Sequence, residues 1–84
     1  MWLKNYDKEE RKTFYIDMNS IKEFHSYDDE PDDDHPFCIK FFFKSQEDDW
    51  TKLTYSTREE RDKVLTLLEN NIGEVWDIDK AVSI

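Results

Sequence analysis

From Thr13 to Met18 the chain alternates, with Phe14, Ile16 and Met18 falling between Thr13, Tyr15 and Asp17. A period of two sends successive side chains to opposite faces, so this stretch predicts a strand with one buried side. Asn19-Ser20 reads as a bend, after which Ile21 to Tyr27 resumes a weaker alternation. The clearest strand pattern is Phe37, Ile39, Phe41 and Phe43 interleaved with Cys38, Lys40, Phe42 and Lys44. Ser45 to Asp49 is polar and turn-like. Trp50 to Tyr55 predicts a further strand, with Thr51, Leu53 and Tyr55 on one face and Trp50, Lys52 and Thr54 on the other. Trp2 to Tyr6 adds one at the start of the chain.

The period then changes. Ser56-Thr57-Arg58-Glu59-Glu60 holds two overlapping capping boxes, Ser56 with Glu59 and Thr57 with Glu60. In each, hydroxyl and carboxylate satisfy amide groups that the first helical turn leaves unpaired. Val64, Leu65, Leu68 and Ile72 follow as an apolar stripe with Leu67 at its margin, and Gly73, the only glycine, stands where a left-handed cap ends a helix. The spacing predicts a helix over 57–72. The tail, Glu74-Val75-Trp76-Asp77-Ile78, reads as a short final strand or a segment lying across the sheet.

Strands followed by one helix predict an α+β fold: a small antiparallel sheet of four to five strands with the C-terminal helix packed on one face. The helix side takes Phe14, Ile16, Ile39, Phe41, Phe43, Leu53 and Tyr55 against Val64, Leu65, Leu68 and Ile72. A length of 84 residues has room for one core, so residues 1–84 are read as a single domain with a loop at 28–36 and a short tail at 74–84. Leu, Ile, Val and Phe number 20, about 24% of the chain, enough to fold despite 39% charged residues.

Charge changes the picture more than length does. The net charge is −9, yet residues 1–27 and 37–56 are each neutral. Asp28-Asp29-Glu30-Pro31-Asp32-Asp33-Asp34-His35-Pro36 carries six carboxylates, no Lys or Arg, and both prolines. Like charges repel and proline lacks an amide hydrogen, so the segment is a loop. An acidic chain is repelled by nucleic acid and anionic lipid, which argues against direct binding to either. The single cysteine, Cys38, excludes an internal disulfide and points to a reducing compartment. No apolar run is long enough to span a bilayer, and residues 1–7 lack the apolar core of a signal peptide, so a cytoplasmic location is expected.

Catalytic signals are weak. His25, His35 and Cys38 offer three zinc ligands but only His35 and Cys38 have paired spacing. Asp28, Glu30 and Asp32 alternate as calcium ligands do, but Asp33 stands where an EF-hand has glycine and Ile39 where it has its bidentate glutamate. Six carboxylates near Cys38 disfavour a thiolate, and a single glycine cannot build a phosphate cradle. The chain is read as non-catalytic, with neither cofactor nor metal.

Two surfaces remain as candidates for binding. Asp28, Asp29, Glu30, Asp32, Asp33 and Asp34, supported by Glu47, Asp48 and Asp49, can imitate nucleic-acid phosphates and occupy the basic groove of a partner protein. The plainer reading is a solvated loop. On the sheet face away from the helix, alternation groups Tyr15, Phe42 and Trp50 with Lys40, Lys44 and Lys52, which suits a protein hot spot or a stacked nucleotide. Its plainer reading is burial under the Trp2 or Trp76 segment. An edge strand or the aromatic face also leaves a homodimer open.

The opening Met1-Trp2-Leu3-Lys4 and the passage Leu53-Thr54-Tyr55-Ser56-Thr57-Arg58-Glu59-Glu60-Arg61-Asp62-Lys63-Val64-Leu65 resemble small proteins of phages, prophages and mobile elements of low-GC bacteria. The resemblance covers both ends of the chain and not the acidic middle. It implies several strands, a C-terminal helix, and a protein that blocks host defence machinery by binding and occluding it. A more distant similarity is to the C-terminal half of pleckstrin-homology-like domains, which implies an adaptor role.

Overall fold

The computed structural model describes residues 1–8, 10–45, 49–73 and 77–79. Its elements are β1 (Trp2–Asp7), β2 (Lys12–Asp17), a 3-10 turn (Met18–Ser20), β3 (Ile21–Asp28), β4 (Phe37–Phe43), β5 (Trp50–Tyr55) and α1 (Arg58–Ile72). Glu47 and Asp48 of the predicted turn and most of the tail, Trp76 included, lie outside the described residues. The fold is α+β, with antiparallel strands and one helix packed over β4 and β5.

The five strands form two sheets where the sequence suggested one. β1 and β2 make a two-stranded ribbon, and β3-β4-β5 a three-stranded sheet with β4 in the centre. The division arises at the turn between β2 and β3. Asp17 caps it, accepting from the Asn19 amide at 3.0 Å through Oδ1 and from Ser20 Oγ at 2.6 Å through its carbonyl. Met18, expected to end a strand, starts this turn instead and donates its N–H to the Met1 carbonyl at 3.0 Å. β2 is thereby turned away from β3 and the ribbon closes on itself.

The core forms where the inner faces meet. Leu3 and Ile16 from the ribbon join Ile39, Phe41, Leu53 and Tyr55 from the sheet and Leu68 from the helix. Phe14, Phe43, Val64 and Leu65 pack against this cluster, as their spacing predicts, and so do Met18, Ile21, Phe24 and Phe37. Each large apolar side chain fully buried here contributes roughly 1.5–3 kcal/mol. Ile72 is the exception: at 48% exposed it lies in the last helical turn, beyond the cover of the sheet. Tyr55 ties the layers together by donating its hydroxyl to Asn5 Oδ1 at 3.0 Å. Burial first, then Glu60 and Asp7, push its phenol up to about 12.

Of the two capping boxes, the second closes the helix. Thr57 Oγ1 accepts from the Glu60 amide at 3.2 Å, and Ser56 Oγ donates to the Glu60 carboxylate at 3.5 Å. Gly73 ends the helix at a φ of 98° and a ψ of −147°, a positive-φ stop outside the left-handed helical region. No helix among the described residues is long and apolar enough to cross a membrane.

Candidate functional site

The acidic segment leaves the end of β3 and returns into β4 as a closed loop. The Asp29 amide donates to the Pro36 carbonyl, at 2.6 Å, and pins its base. At the tip the Asp33 amide donates to the Glu30 carbonyl at 3.0 Å, a turn with Pro31 at the position that favours proline. Asp33 Oδ1 then accepts from the His35 amide at 3.0 Å. Local hydrogen bonds thus hold a segment whose charges repel one another.

Its six carboxylates do not have equal surroundings. Asp28 accepts from Arg61 at 2.9 Å and from Arg58 at 3.0 Å. Asp29 meets Lys52 Nζ at 3.5 Å and the Cys38 thiol at 3.5 Å. Three cations from β5 and α1 therefore face the two carboxylates at the loop's base. Glu30, Asp32 and Asp34 are exposed and form no ion pair among the described residues. The outward acid is the tip of the loop.

Arg61 organises the base. It is only 7% exposed and donates to the Tyr27 carbonyl at 3.1 Å, to Asp28 and to Asp62. Its guanidinium lies 5.7 Å from the Phe37 ring centre, with Arg58 at 5.6 Å. Burial works against its charge, but Asp62 and Asp28 outweigh that and raise its pKa. The helical stripe could have revealed this residue: Arg61 stands seven positions before Leu68, hence on the apolar side, where a charge needs a partner.

The proposed aromatic and basic face is brought together only in part. Pairing of β4 with β5 sets Phe42 opposite Trp50 and Lys40 opposite Lys52. Lys40 Nζ lies 4.1 Å from the centre of the Trp50 ring and 5.2 Å from that of Phe42. Trp50 stays 49% exposed, so neither end of the chain buries it among the described residues. Tyr15 belongs elsewhere. It sits on the ribbon, 63% exposed, opposite Lys4. Alternation assigns a face within one strand and cannot show that β2 lies in a different sheet. Lys44 follows the end of β4 and lines a cleft beside Phe24 and Ile72, apart from Trp50. Lys52 is shared with the acidic loop. His25, absent from the sequence reading of this face, lies 5.1 Å from Phe42, centre to centre.

Cys38, His25 and His35 do not converge, and no group of three or more His, Cys, Asp or Glu is placed to hold a metal ion among the described residues. Cys38 is fully buried and donates towards Asp29 and the Pro36 carbonyl, each at 3.5 Å. Burial pushes its thiol up, and Asp29 adds to the shift. A thiol held protonated is a poor nucleophile. Cys38 is therefore expected to resist a disulfide-exchange reagent at neutral pH while the chain is folded and to react at once in denaturant. Fast labelling of the folded chain would contradict this placement. No family model matches the chain, nor does any curated protein or solved structure give a match, so the pinned loop and its neighbouring sheet face carry the functional reading.

Proposed function

We propose that this chain is a non-catalytic binding protein that occludes a basic surface of a partner protein through the tip of its acidic loop. The observation that carries the reading is the division of the loop's charge. Asp28 and Asp29 are consumed by Arg58, Arg61 and Lys52, whereas Glu30, Asp32 and Asp34 face water on a backbone that is already pinned. A loop held in place loses less freedom on binding than a flexible acidic tail, so more of its electrostatic attraction is expressed as affinity. Charges of this kind also steer a basic partner into contact. Imitation of nucleic-acid phosphates is the form this occlusion takes, in keeping with the resemblance to phage and mobile-element proteins and with a role in counter-defence.

Nucleotide capture on the outer sheet face draws less support. Lys40 and His25 already lie against the Phe42 and Trp50 rings that a base would need for stacking.

The test compares the native chain with the triple variant Glu30→Gln, Asp32→Asn, Asp34→Asn as bait in a bacterial lysate. Captured protein is then challenged with salt and with duplex DNA. The native bait is expected to hold a partner that DNA displaces, and the variant to bind it at least about tenfold more weakly, the effect of roughly 1.4 kcal/mol of lost charge attraction. Equal capture by both baits, with the same salt dependence, would sink the proposal.

A further inference from the structure

The three-stranded sheet ends in β3, eight residues long, with β4 on one side only. The bond from the Asp29 amide to Pro36 sets which groups face β4, because alternate residues of an antiparallel ladder point the same way. Glu23, His25 and Tyr27 direct their backbone groups towards β4, and Phe24 and Ser26 direct theirs outwards. The bond from the Phe43 amide to Asp49 agrees, since it turns the odd residues of β4 to β5 and leaves Cys38, Lys40 and Phe42 for β3. No backbone hydrogen bond among the described residues reaches the outward groups of Phe24 or Ser26.

We infer that β3 is a self-association edge, pairing antiparallel with β3 of a second copy in a register centred on Phe24. Charge order selects this occupant and register. Glu23 and His25 flank Phe24 on the outer face, where their side chains meet at 3.1 Å. Antiparallel pairing about Phe24 sets each Glu23 directly opposite the second copy's His25, so a carboxylate acceptor faces an imidazole N–H donor at two positions. The two Phe24 rings then face each other on the inner side, extending the tilted pair that Phe24 makes with Phe41 at 5.8 Å. They fall beside an open cleft of about 540 Å³ bordered by Met1, Ile21, Phe24 and Ile72. The half-exposed Met1 and Ile72 are the apolar surface this pairing covers.

A register shift between Ile21 and Glu23 marks a bulge near the start of β3, at Lys22. Bulges and lysines limit edge pairing, so a reversible monomer–dimer equilibrium is expected and not an open-ended fibre. The two-fold arrangement uses the edge of each copy once and leaves both acidic loops free.

Sedimentation velocity of the full chain from micromolar to millimolar concentration reads the equilibrium. Ser26→Pro removes an outward N–H without touching the β3–β4 ladder, a position where an edge strand tolerates proline. It is expected to weaken dimerisation at least about tenfold. Glu23→Lys is expected to do the same, and the exchange Glu23→Lys with His25→Glu to restore the dimer, because a cation and a carboxylate then face each other at both positions. Circular dichroism checks that each variant is folded, and the charge exchange remains decisive if the proline variant is not. A native chain that stays monomeric throughout overturns the inference, and so does a dimer indifferent to the charge reversal.

Discussion

Phe41→Ala is expected to remove about 3–5 kcal/mol of stability, the range for truncating a buried phenylalanine. Phe41 is fully buried in the central strand, with β3 on one side and β5 on the other. Its ring packs against Phe24 at 5.8 Å, centre to centre, within the core cluster. At roughly 0.05–0.15 kcal/mol per residue, a domain of this length has a total stability of only about 4–13 kcal/mol. The variant is therefore expected to melt far below the native chain, or not to fold at physiological temperature. Its neighbour supplies the control. Phe42 lies partly buried on the opposite face against His25 and Lys40, and Phe42→Ala is expected to cost about 1 kcal/mol. Urea unfolding of the two variants measures both values. Similar losses would mean that β4 is not oriented with Phe41 inwards, and the paired faces of the whole sheet would fall with it.

That contrast concerns the part of the molecule most legible in its sequence. Phe37 to Phe43 states its inner face through strict alternation, and Thr57 with Glu60 states where the helix begins. Both signals are local. Whether β2 continues the sheet of β3 depends on a turn in which Asp17 and Ser20 override a simple hairpin, and propensity does not carry that information. Alternation consequently groups Tyr15 with Trp50, from which the fold separates it. The acidic loop shows the same limit. Its excess charge is visible in nine consecutive residues, but the cations that face its base arrive from Lys52, Arg58 and Arg61, far along the chain. Only pairing in space reveals that Asp28 and Asp29 are occupied and that the tip carries the outward charge.

Arg61→Ala follows from this division and has the second-largest expected effect, about 2–3 kcal/mol. The ion pair is the smaller part of the loss, since Asp28 is 44% exposed in its side chain, solvent screens its charge and Arg58 remains. More comes from the buried guanidinium itself. Its removal strips a donor from the Tyr27 carbonyl and opens space over Phe37, both at the junction of helix, sheet and loop. Arg61→Lys should recover little, because an ammonium lacks the planar fork that serves Tyr27, Asp28 and Asp62 together. Urea unfolding measures the loss, and a value below about 1 kcal/mol would show the contacts to be incidental. Partner binding supplies a second readout. Arg61→Ala leaves every loop carboxylate in place but loosens the loop's base, where Arg58, Lys52 and the bond from the Asp29 amide to Pro36 remain, so affinity is expected to fall while its salt dependence persists. Neutralising Glu30, Asp32 and Asp34 is expected to lower both. If the loop acts only through its net charge, Arg61→Ala makes it more acidic and binding strengthens, which separates a pinned surface from a merely charged one.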